Sequence, residues 1–453
     1  MAIRRELPDC HHRLAPTLIR PCSATPSHTL YLSNLDDCMF IRFSVKYLFL
    51  FRVSPEVESM KSSLSAVLNH YYPLSGRLRQ SRESEKKLEL ECTAEGALFV
   101  EAFMDTTADE FQQFPGLLGS SWRKLHHEVG DQPFISVPPL VVQVTHLRCG
   151  GLILCASIAH CLCDGIGSSQ FLNAWADACR DPTSPLLVPP CWGREALKPR
   201  NPPRIEFSHG TELAQQEAGS GGAAMAGEPL IHVWVTFEAE EISRLKRRCI
   251  PALNCTSFEV LAAHIWRCWA RAMFGAEATN GRPKKEGQVV GLFFPADVRG
   301  KLDPPLPVGF YGNSLSLASM GRHCGVLLTE QIHQTVKGIQ RAKDMALSDA
   351  YARSEIDLLA LHQPVDNPTS ILIVSQWYRL GLERVDFGSG PPVLLSGSTV
   401  DHYCLLLPVL GKPKAMAIQV SVRESMADAL ECYLRELEDA QGDEKPLPDV
   451  AVV

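Results

Sequence analysis

The chain has 453 residues, of which 45% are hydrophobic and 21% are charged. This composition is typical of a globular protein that buries a large core, and it excludes a mainly disordered chain. The formal net charge is −7, which argues against a nucleic-acid coat protein or a polybasic membrane-surface protein. At about 150 residues per domain, two or three domains are expected.

The sequence shows no targeting or membrane signal. No apolar run reaches the roughly 18 to 20 residues that span a bilayer, so we predict no transmembrane segment. The first residues include Arg4, Arg5 and Glu6 and lack the apolar stretch of a secretory signal. The 16 cysteines include no C-x-x-C pair and often lie in apolar runs, as in proteins of a reducing compartment. We therefore expect a cytoplasmic protein.

The first half of the chain alternates helical and strand patterns. Apolar residues at helical spacing predict a helix over residues 57–69. Two apolar runs, 140–144 and 152–158, are separated by Cys149-Gly150-Gly151 and predict a hairpin or two neighbouring buried strands. A helix is predicted over 166–179, where apolar residues share one face.

Residues 181–230 are rich in proline and then in small residues, which is typical of a crossover linker with a flexible middle. After it, Thr256-Ser257-Phe258-Glu259 forms a capping box that predicts the start of a long helix. We place the first domain at 1–190, the linker at 191–230 and the second domain at 231–453. Further strands and helices are predicted at 232–237, 240–247, 289–294, 371–375, 405–410, 415–422 and 425–437.

Both halves therefore alternate strands and helices over comparable lengths. The interpretation that we favour is a pair of α/β domains of similar kind that face each other.

The sharpest chemical motif is the segment from Ala159 to Gly165, which follows an apolar strand and precedes a helix. His160 stands at the strand end, where it can project into a cleft, and an ordinary pKa of about 6.5 suits proton abstraction near neutrality. Taken alone, an H-x-x-x-D spacing more often marks a buried structural His beside an Asp that caps a helix.

A metal site at this segment is not predicted. His160, Cys161, Cys163 and Asp164 all have ligand chemistry, but neighbouring side chains at a strand end point in opposite directions. A zinc site needs three or four convergent ligands, and no second cluster has suitable spacing.

A second motif is Asp386-Phe387-Gly388-Ser389-Gly390, followed by two prolines. Its composition predicts a rigid, tight loop, which alone would be an ordinary surface turn.

Taken together, the two motifs resemble the H-x-x-x-D-G and D-F-G-W-G signatures of the plant BAHD acyltransferases. Five other segments resemble family segments in the same order, so that the resemblance runs from about residue 33 to residue 437. These segments are YYPLSGRL (71–78), TSFEVLAAHIW (256–266), PADVR (295–299), FYGN (310–313) and SQW (375–377).

The resemblance implies a fold and a reaction. The fold would be two chloramphenicol-acetyltransferase-like α/β (α+β) domains, joined by a long crossover, with a channel between them. Acyl-CoA would enter from one face as a co-substrate, and an alcohol or amine acceptor from the other. No permanently bound cofactor is implied, and such proteins are expected to be monomers.

The resemblance also implies roles for residues. His160 would take the proton from the acceptor hydroxyl as it attacks the thioester, in a ternary complex and without an acyl-enzyme. Asp164 would be structural, paired with the buried Arg299. Ser375 or Trp377 would help to stabilise the oxyanion.

The coenzyme would be held by other residues. Asp386, Phe387, Gly388 and Gly390 would shape the channel wall beside it, and Ser389 stands where the family has Trp, which would loosen the loop or widen the channel. For the phosphates of the coenzyme we name three basic residues that fit a solvated charged loop equally well, namely Arg282, Lys284 and Lys285.

The function that the resemblance implies is transfer of a hydroxycinnamoyl, aromatic or fatty acyl group from CoA to a hydroxyl acceptor, with transfer to an amine as a variant. The alternative is a non-catalytic BAHD-like partner protein of fatty-acyl elongation, which the Ser389 departure favours and the intact H-x-x-x-D-G segment opposes. A condensation domain of peptide synthesis fits less well, because Ala159 stands where that class favours a second His.

Overall fold

The computed structural model describes residues 7–12, 14–82, 84–113, 122–129, 134–210, 228, 230–274, 288–362, 370–398 and 403–437. Within this part of the chain, three β-sheets and the helices packed on them build a mixed α/β fold, as the sequence predicts. No helix of the described ranges is long and apolar enough to cross a membrane.

In chain order the strands are β1 (Cys10–His12), β2 (Thr17–Ile19), β3 (Thr29–Tyr31), β4 (Ser44–Phe51), β5 (Arg77–Gln80), β6 (Leu88–Glu91), β7 (Ala97–Met104), β8 (Leu140–Leu147), β9 (Leu152–Ala159), β10 (Leu230–Phe237), β11 (Val289–Asp297), β12 (Leu315–His323), β13 (Ile371–Gln376), β14 (Leu394–Ser398), β15 (Tyr403–Pro408) and β16 (Met416–Arg423). The α-helices are α1 (Val57–Val67), α2 (Ala108–Gln112), α3 (Gly165–Arg180), α4 (Ala239–Arg247), α5 (Ser257–Phe274), α6 (Cys324–Thr329), α7 (Ile332–Ala346), α8 (Asp349–Leu361) and α9 (Glu424–Arg435).

The first sheet has the strand order β1-β7-β8-β9-β4-β14, with β2 also paired to β7. Strands β8 and β9 are antiparallel neighbours, which confirms the predicted hairpin. One face of β4 presents Tyr47, Phe49 and Phe51 to the core beneath α1 and α3. The two helices are joined by the indole N–H of Trp175, which donates to the Met60 carbonyl at 2.9 Å.

The second sheet has the order β10-β16-β15-β13-β11-β12. Helix α5 packs beside it and begins at the predicted capping box, which the structure confirms. Thr256 N donates to Glu259 Oε2 at 3.0 Å, and Glu259 N donates to Thr256 Oγ1 at 3.3 Å. These bonds satisfy backbone donors that the first turn of a helix leaves unpaired. The third sheet, β3-β6-β5, is small and lies in the first half.

Strand β14 crosses between the halves. It lies late in the chain but pairs antiparallel with β4 at the edge of the first sheet. Its other contacts reach the second sheet, because Ser396 Oγ and the Gly397 carbonyl both bond to the Gln419 amide, at 2.9 and 2.6 Å. The domain limits 1–190, 191–230 and 231–453 stay predictions. Residues 394–398 belong to the second domain by these limits, but they form a strand of the first sheet.

A buried ion pair also joins the halves. Asp164 caps the N-terminus of α3, where its Oδ1 accepts from Gly167 N at 2.9 Å, and its side chain is 0% exposed. Nη2 of Arg299, just after β11, donates to both carboxylate oxygens of Asp164, at 2.8 and 2.9 Å. The same guanidinium donates to the carbonyls of Phe310 and Gly312, at 3.2 and 2.7 Å. The pair therefore fixes the start of α3 against the connection between β11 and β12.

Asp164→Ala is expected to lower the free energy of unfolding by about 3 kcal/mol, because it removes the buried partner of a largely buried guanidinium. This is the low end of the usual cost, since Asp297 and two carbonyls still contact Arg299. The control is Asp297→Asn, which alters an exposed carboxylate on the same guanidinium and should cost no more than about 1 kcal/mol. Urea unfolding of both variants measures these free energies. Equal losses of unfolding free energy in the two variants would contradict the role of the Asp164–Arg299 pair in joining the halves.

Candidate active site

Residues from both halves line a cavity of ≈ 590 Å³ that lies between the first and second sheets. Most of its wall is apolar, with Phe43 and Ile166 from the first half and Leu317, Leu359 and Ile373 from the second. The polar or charged side chains on this wall include Tyr47, His160, Asp297, Asn313, Glu355, Ser375, Gln376, Arg379 and Tyr403. A wall of this kind binds the apolar body of a ligand and leaves a few polar groups to orient it.

His160 follows β9 directly, and its main chain is held from both sides. Its N–H donates to the Phe43 carbonyl at 2.9 Å, and its carbonyl accepts from Asn313 Nδ2 at 2.7 Å. The imidazole lies edge-to-face against the Phe43 ring, with centroids 5.3 Å apart. These contacts hold the imidazole on the cavity wall.

Asn313 is itself held by a buried carboxylate. Asp36 Oδ1 accepts from both the backbone N–H and the side-chain amide of Asn313, at 2.9 and 3.0 Å. Asp36 also pairs with Arg194 at 3.3 Å, and both side chains are fully buried. The Arg194 guanidinium lies over the Trp192 ring at 3.7 Å. Sequence reasoning missed Asp36 and Arg194, and it used Asn313 only as part of the FYGN segment.

Burial lowers the pKa of His160 below its ordinary value of 6.5, and the negative charge of Asp164 opposes this effect only in part. The imidazole is therefore neutral at pH 7, which is the form that can accept a proton. The Asp164 carboxylate is occupied by Arg299 and by the backbone N–H groups of Gly167 and Ser314. Its geometry is that of a structural group and not of a proton relay.

Ser375 and Trp377 lie at the end of β13 and reach the same cavity as His160. The Ser375 side chain lies beside that of Tyr403 on this wall. The Trp377 ring stacks on Tyr47 with centroids 4.8 Å apart. A β-carbon at Gly397 would lie 2.7 Å from the Trp377 ring, so strand β14 must carry glycine there. The structure therefore brings these two predicted residues to His160.

The DFGSG loop lies elsewhere. Asp386 Oδ1 accepts from the N–H groups of Gly388 and Gly390, at 2.8 and 3.0 Å, and both glycines have φ of +99°, which favours glycine. Phe387 is buried against Trp175 of α3, with ring centroids 4.8 Å apart. In the part of the chain that the structure describes, none of these residues lines the His160 cavity. The structure gives the loop a packing contact with α3 and does not bring it to His160.

The three basic residues that we name for the coenzyme phosphates, Arg282, Lys284 and Lys285, lie outside the described residues. Their assignment stays a prediction.

Comparison with known families and proteins supports the resemblance. A family model described as "Transferase family" matches residues 14–426. Omega-hydroxypalmitate O-feruloyl transferase of Arabidopsis thaliana is 34% identical over 397 residues, covering 84% of this chain and 83% of the relative. Fatty alcohol:caffeoyl-CoA acyltransferase of the same plant is 33% identical, over 84% of this chain and 87% of the relative.

Solved structures show the same fold. Vinorine synthase superposes with a TM-score of 0.70 at 20% identity, over 95% of this chain and 98% of that chain. TRI101 of F. graminearum, solved with ethyl coenzyme A, gives a TM-score of 0.69 at 16% identity, over 90% and 97%. The predicted fold class is confirmed. On the family match and the curated relatives, the chain belongs to the BAHD acyltransferase family.

Proposed function

We propose that this protein transfers an acyl group from a coenzyme A thioester to the hydroxyl group of an apolar alcohol. The observation that carries the proposal is the imidazole of His160, which is fixed on the wall of a largely apolar cavity to which both halves contribute. Acyl-CoA is then a co-substrate, as in relatives that are named for caffeoyl-CoA. The cytoplasmic location and the monomeric state remain predictions.

In the mechanism that we propose, His160 removes the proton from the acceptor hydroxyl as its oxygen attacks the thioester carbonyl carbon. The carbonyl electron pair moves to oxygen and forms a tetrahedral oxyanion. When the carbonyl reforms, the carbon–sulfur bond breaks and the thiolate takes the proton back from the imidazolium. The products are an ester and free CoA, and no acyl-enzyme forms.

The oxyanion needs a hydrogen-bond donor, and loss of such a donor can cost about 3 kcal/mol in other enzymes. Ser375 is the donor that we propose, with Trp377 beside it, because both line the cavity of His160.

The shape and polarity of the cavity support a hydroxycinnamoyl, aromatic or fatty substrate pair. Its wall is mostly aliphatic and aromatic, which favours burial of apolar carbon. The relatives named above carry feruloyl and caffeoyl donors and long-chain acceptors in their names, and a third, from Petunia hybrida, is named for benzyl alcohol and a benzoyl group. Transfer to an amine is a variant that uses the same base.

The non-catalytic alternative draws on Ser389, which replaces the tryptophan of the family motif. In the structure this loop packs on α3, away from the cavity of His160. The departure therefore leaves the proposed catalytic residues in place and does not favour the alternative.

His160→Ala is expected to lower kcat by about 10²- to 10⁴-fold, because it removes the general base. The matched control is His70→Ala, which removes an exposed imidazole and should leave kcat unchanged. Release of the CoA thiol, followed with a panel of acyl-CoA donors and alcohols, measures both variants. A folded His160→Ala protein with wild-type turnover would exclude the proposed base.

The pH profile gives a second test with an apolar alcohol as acceptor. Because burial lowers the pKa of His160, the active neutral form should dominate above a midpoint that lies below pH 6.5. We expect kcat/KM to rise with pH through that midpoint and to be constant from about pH 7 to 8. A midpoint above pH 7 would contradict a buried, neutral base.

A further inference from the structure

A second titratable group faces the same cavity and belongs to the second half of the chain. Glu355 lies on α8, and its side chain lines the same cavity as His160 although the residue is only 8% exposed. Its surroundings on the wall are apolar, including Leu317 and Leu359. Within the described ranges no cation forms an ion pair with Glu355. Burial of a carboxyl group without an ion-pair partner is costly, and hydrogen bonds from Ser316 and Leu317 offset part of that cost here.

The carboxyl group is anchored from one side only. Ser316 Oγ donates to Oε2 at 2.6 Å, and Leu317 N donates to Oε1 and Oε2 at 3.1 and 3.2 Å. Two carboxylate oxygens offer about four acceptor positions, so these donors leave acceptor capacity free. Burial raises the pKa of Glu355 to about 7, so the carboxylate form is the main one at pH 8.

Glu355 also lies within reach of the reacting centre. Asn313 bonds to the His160 carbonyl, whereas Leu317, four residues later, bonds to Glu355. Four residues of extended chain span at most about 14 Å. A substrate that reacts at His160 can therefore also contact Glu355 in the same cavity.

We propose that Glu355 is a specificity-determining residue whose carboxylate accepts a hydrogen bond from a substrate hydroxyl group other than the one that reacts. The hydroxyl belongs either to the acyl group or to the acceptor, since the cavity would hold both. This inference rests on the proposed function of the His160 cavity.

The test compares substrates that end in a hydroxyl with their methyl ethers, because an ether oxygen accepts a hydrogen bond but cannot donate one. In one arm, p-coumaroyl-CoA is compared with 4-methoxycinnamoyl-CoA at a fixed simple alcohol. In the other, a long-chain diol is compared with its monomethyl ether at a fixed acyl-CoA, with the twofold statistical advantage of the diol divided out. At pH 8 the wild type should prefer the hydroxyl by about tenfold in kcat/KM in one arm. That arm identifies which substrate carries the group.

In Glu355→Gln the amide oxygen stays with its two donors, because the amide NH₂ cannot accept from Ser316 or Leu317. The NH₂ group then faces the cavity, and the hydroxyl-to-methoxy ratio should fall by about tenfold. The control is Asp344→Asn, which removes an exposed carboxylate on α7 and should leave the ratio unchanged. Glu355→Asp is the substitute if the Gln variant does not fold. It keeps the charge but retracts it by one methylene, so the hydroxyl-to-methoxy ratio should fall in this variant as well.

Calorimetric binding of the same pairs separates this inference from the proposed function. In one outcome the wild type binds the hydroxyl compounds more tightly, Glu355→Gln loses this preference, and no pair releases thiol. That outcome would overturn the transferase proposal and support the Glu355 contact. Equal losses for both members of each pair would indicate a merely structural role and overturn the inference. A wild type with no hydroxyl preference in either arm would overturn it as well.

Discussion

The ion pair between Asp164 and Arg299 is the interaction on which the rest of the site depends. It joins the cap of α3 in the first half to the connection between β11 and β12 in the second. His160 lies four residues before Asp164, so the same contact that fixes the two halves also fixes where the imidazole lies in the cavity. A buried charge pair contributes little net stability, but it is costly to break, and this makes the relative position of the halves well defined.

Around this pair, a second buried ion pair positions groups from behind the cavity wall. Asp36 and Arg194 lie fully buried behind Asn313, which holds the His160 carbonyl. The cavity itself is mostly apolar, and this burial is also what keeps His160 neutral near pH 7. One physical condition, low polarity between the halves, therefore favours both the proposed neutral base and the binding of apolar substrates.

Local patterns predicted a large part of this structure. The β8–β9 hairpin, α3 and the capping box of α5 follow from apolar periodicity and from short-range capping chemistry, and the pairing of Asp164 with Arg299 was expected from the family landmarks. Strand β14 was not predicted, because the short LLSGS segment has no strand pattern and pairs with a strand nearly at the other end of the chain. Asp36 and Glu355 are single carboxylates with no motif around them, so only the fold shows that Asp36 holds Asn313 and that Glu355 reaches the cavity. The position of the DFGSG loop likewise depends on tertiary packing, because Phe387 packs in the core beside Trp175.

The central claim is that one cavity holds both substrates at one base, so that the acyl group moves directly from thioester to alcohol. The most direct measurement is a set of initial velocities of thiol release over a matrix of acyl-CoA and alcohol concentrations. Direct transfer predicts reciprocal plots that intersect, because both substrates must be bound before CoA leaves. Parallel plots, with an acyl group found on the protein after incubation with acyl-CoA alone, would contradict the account.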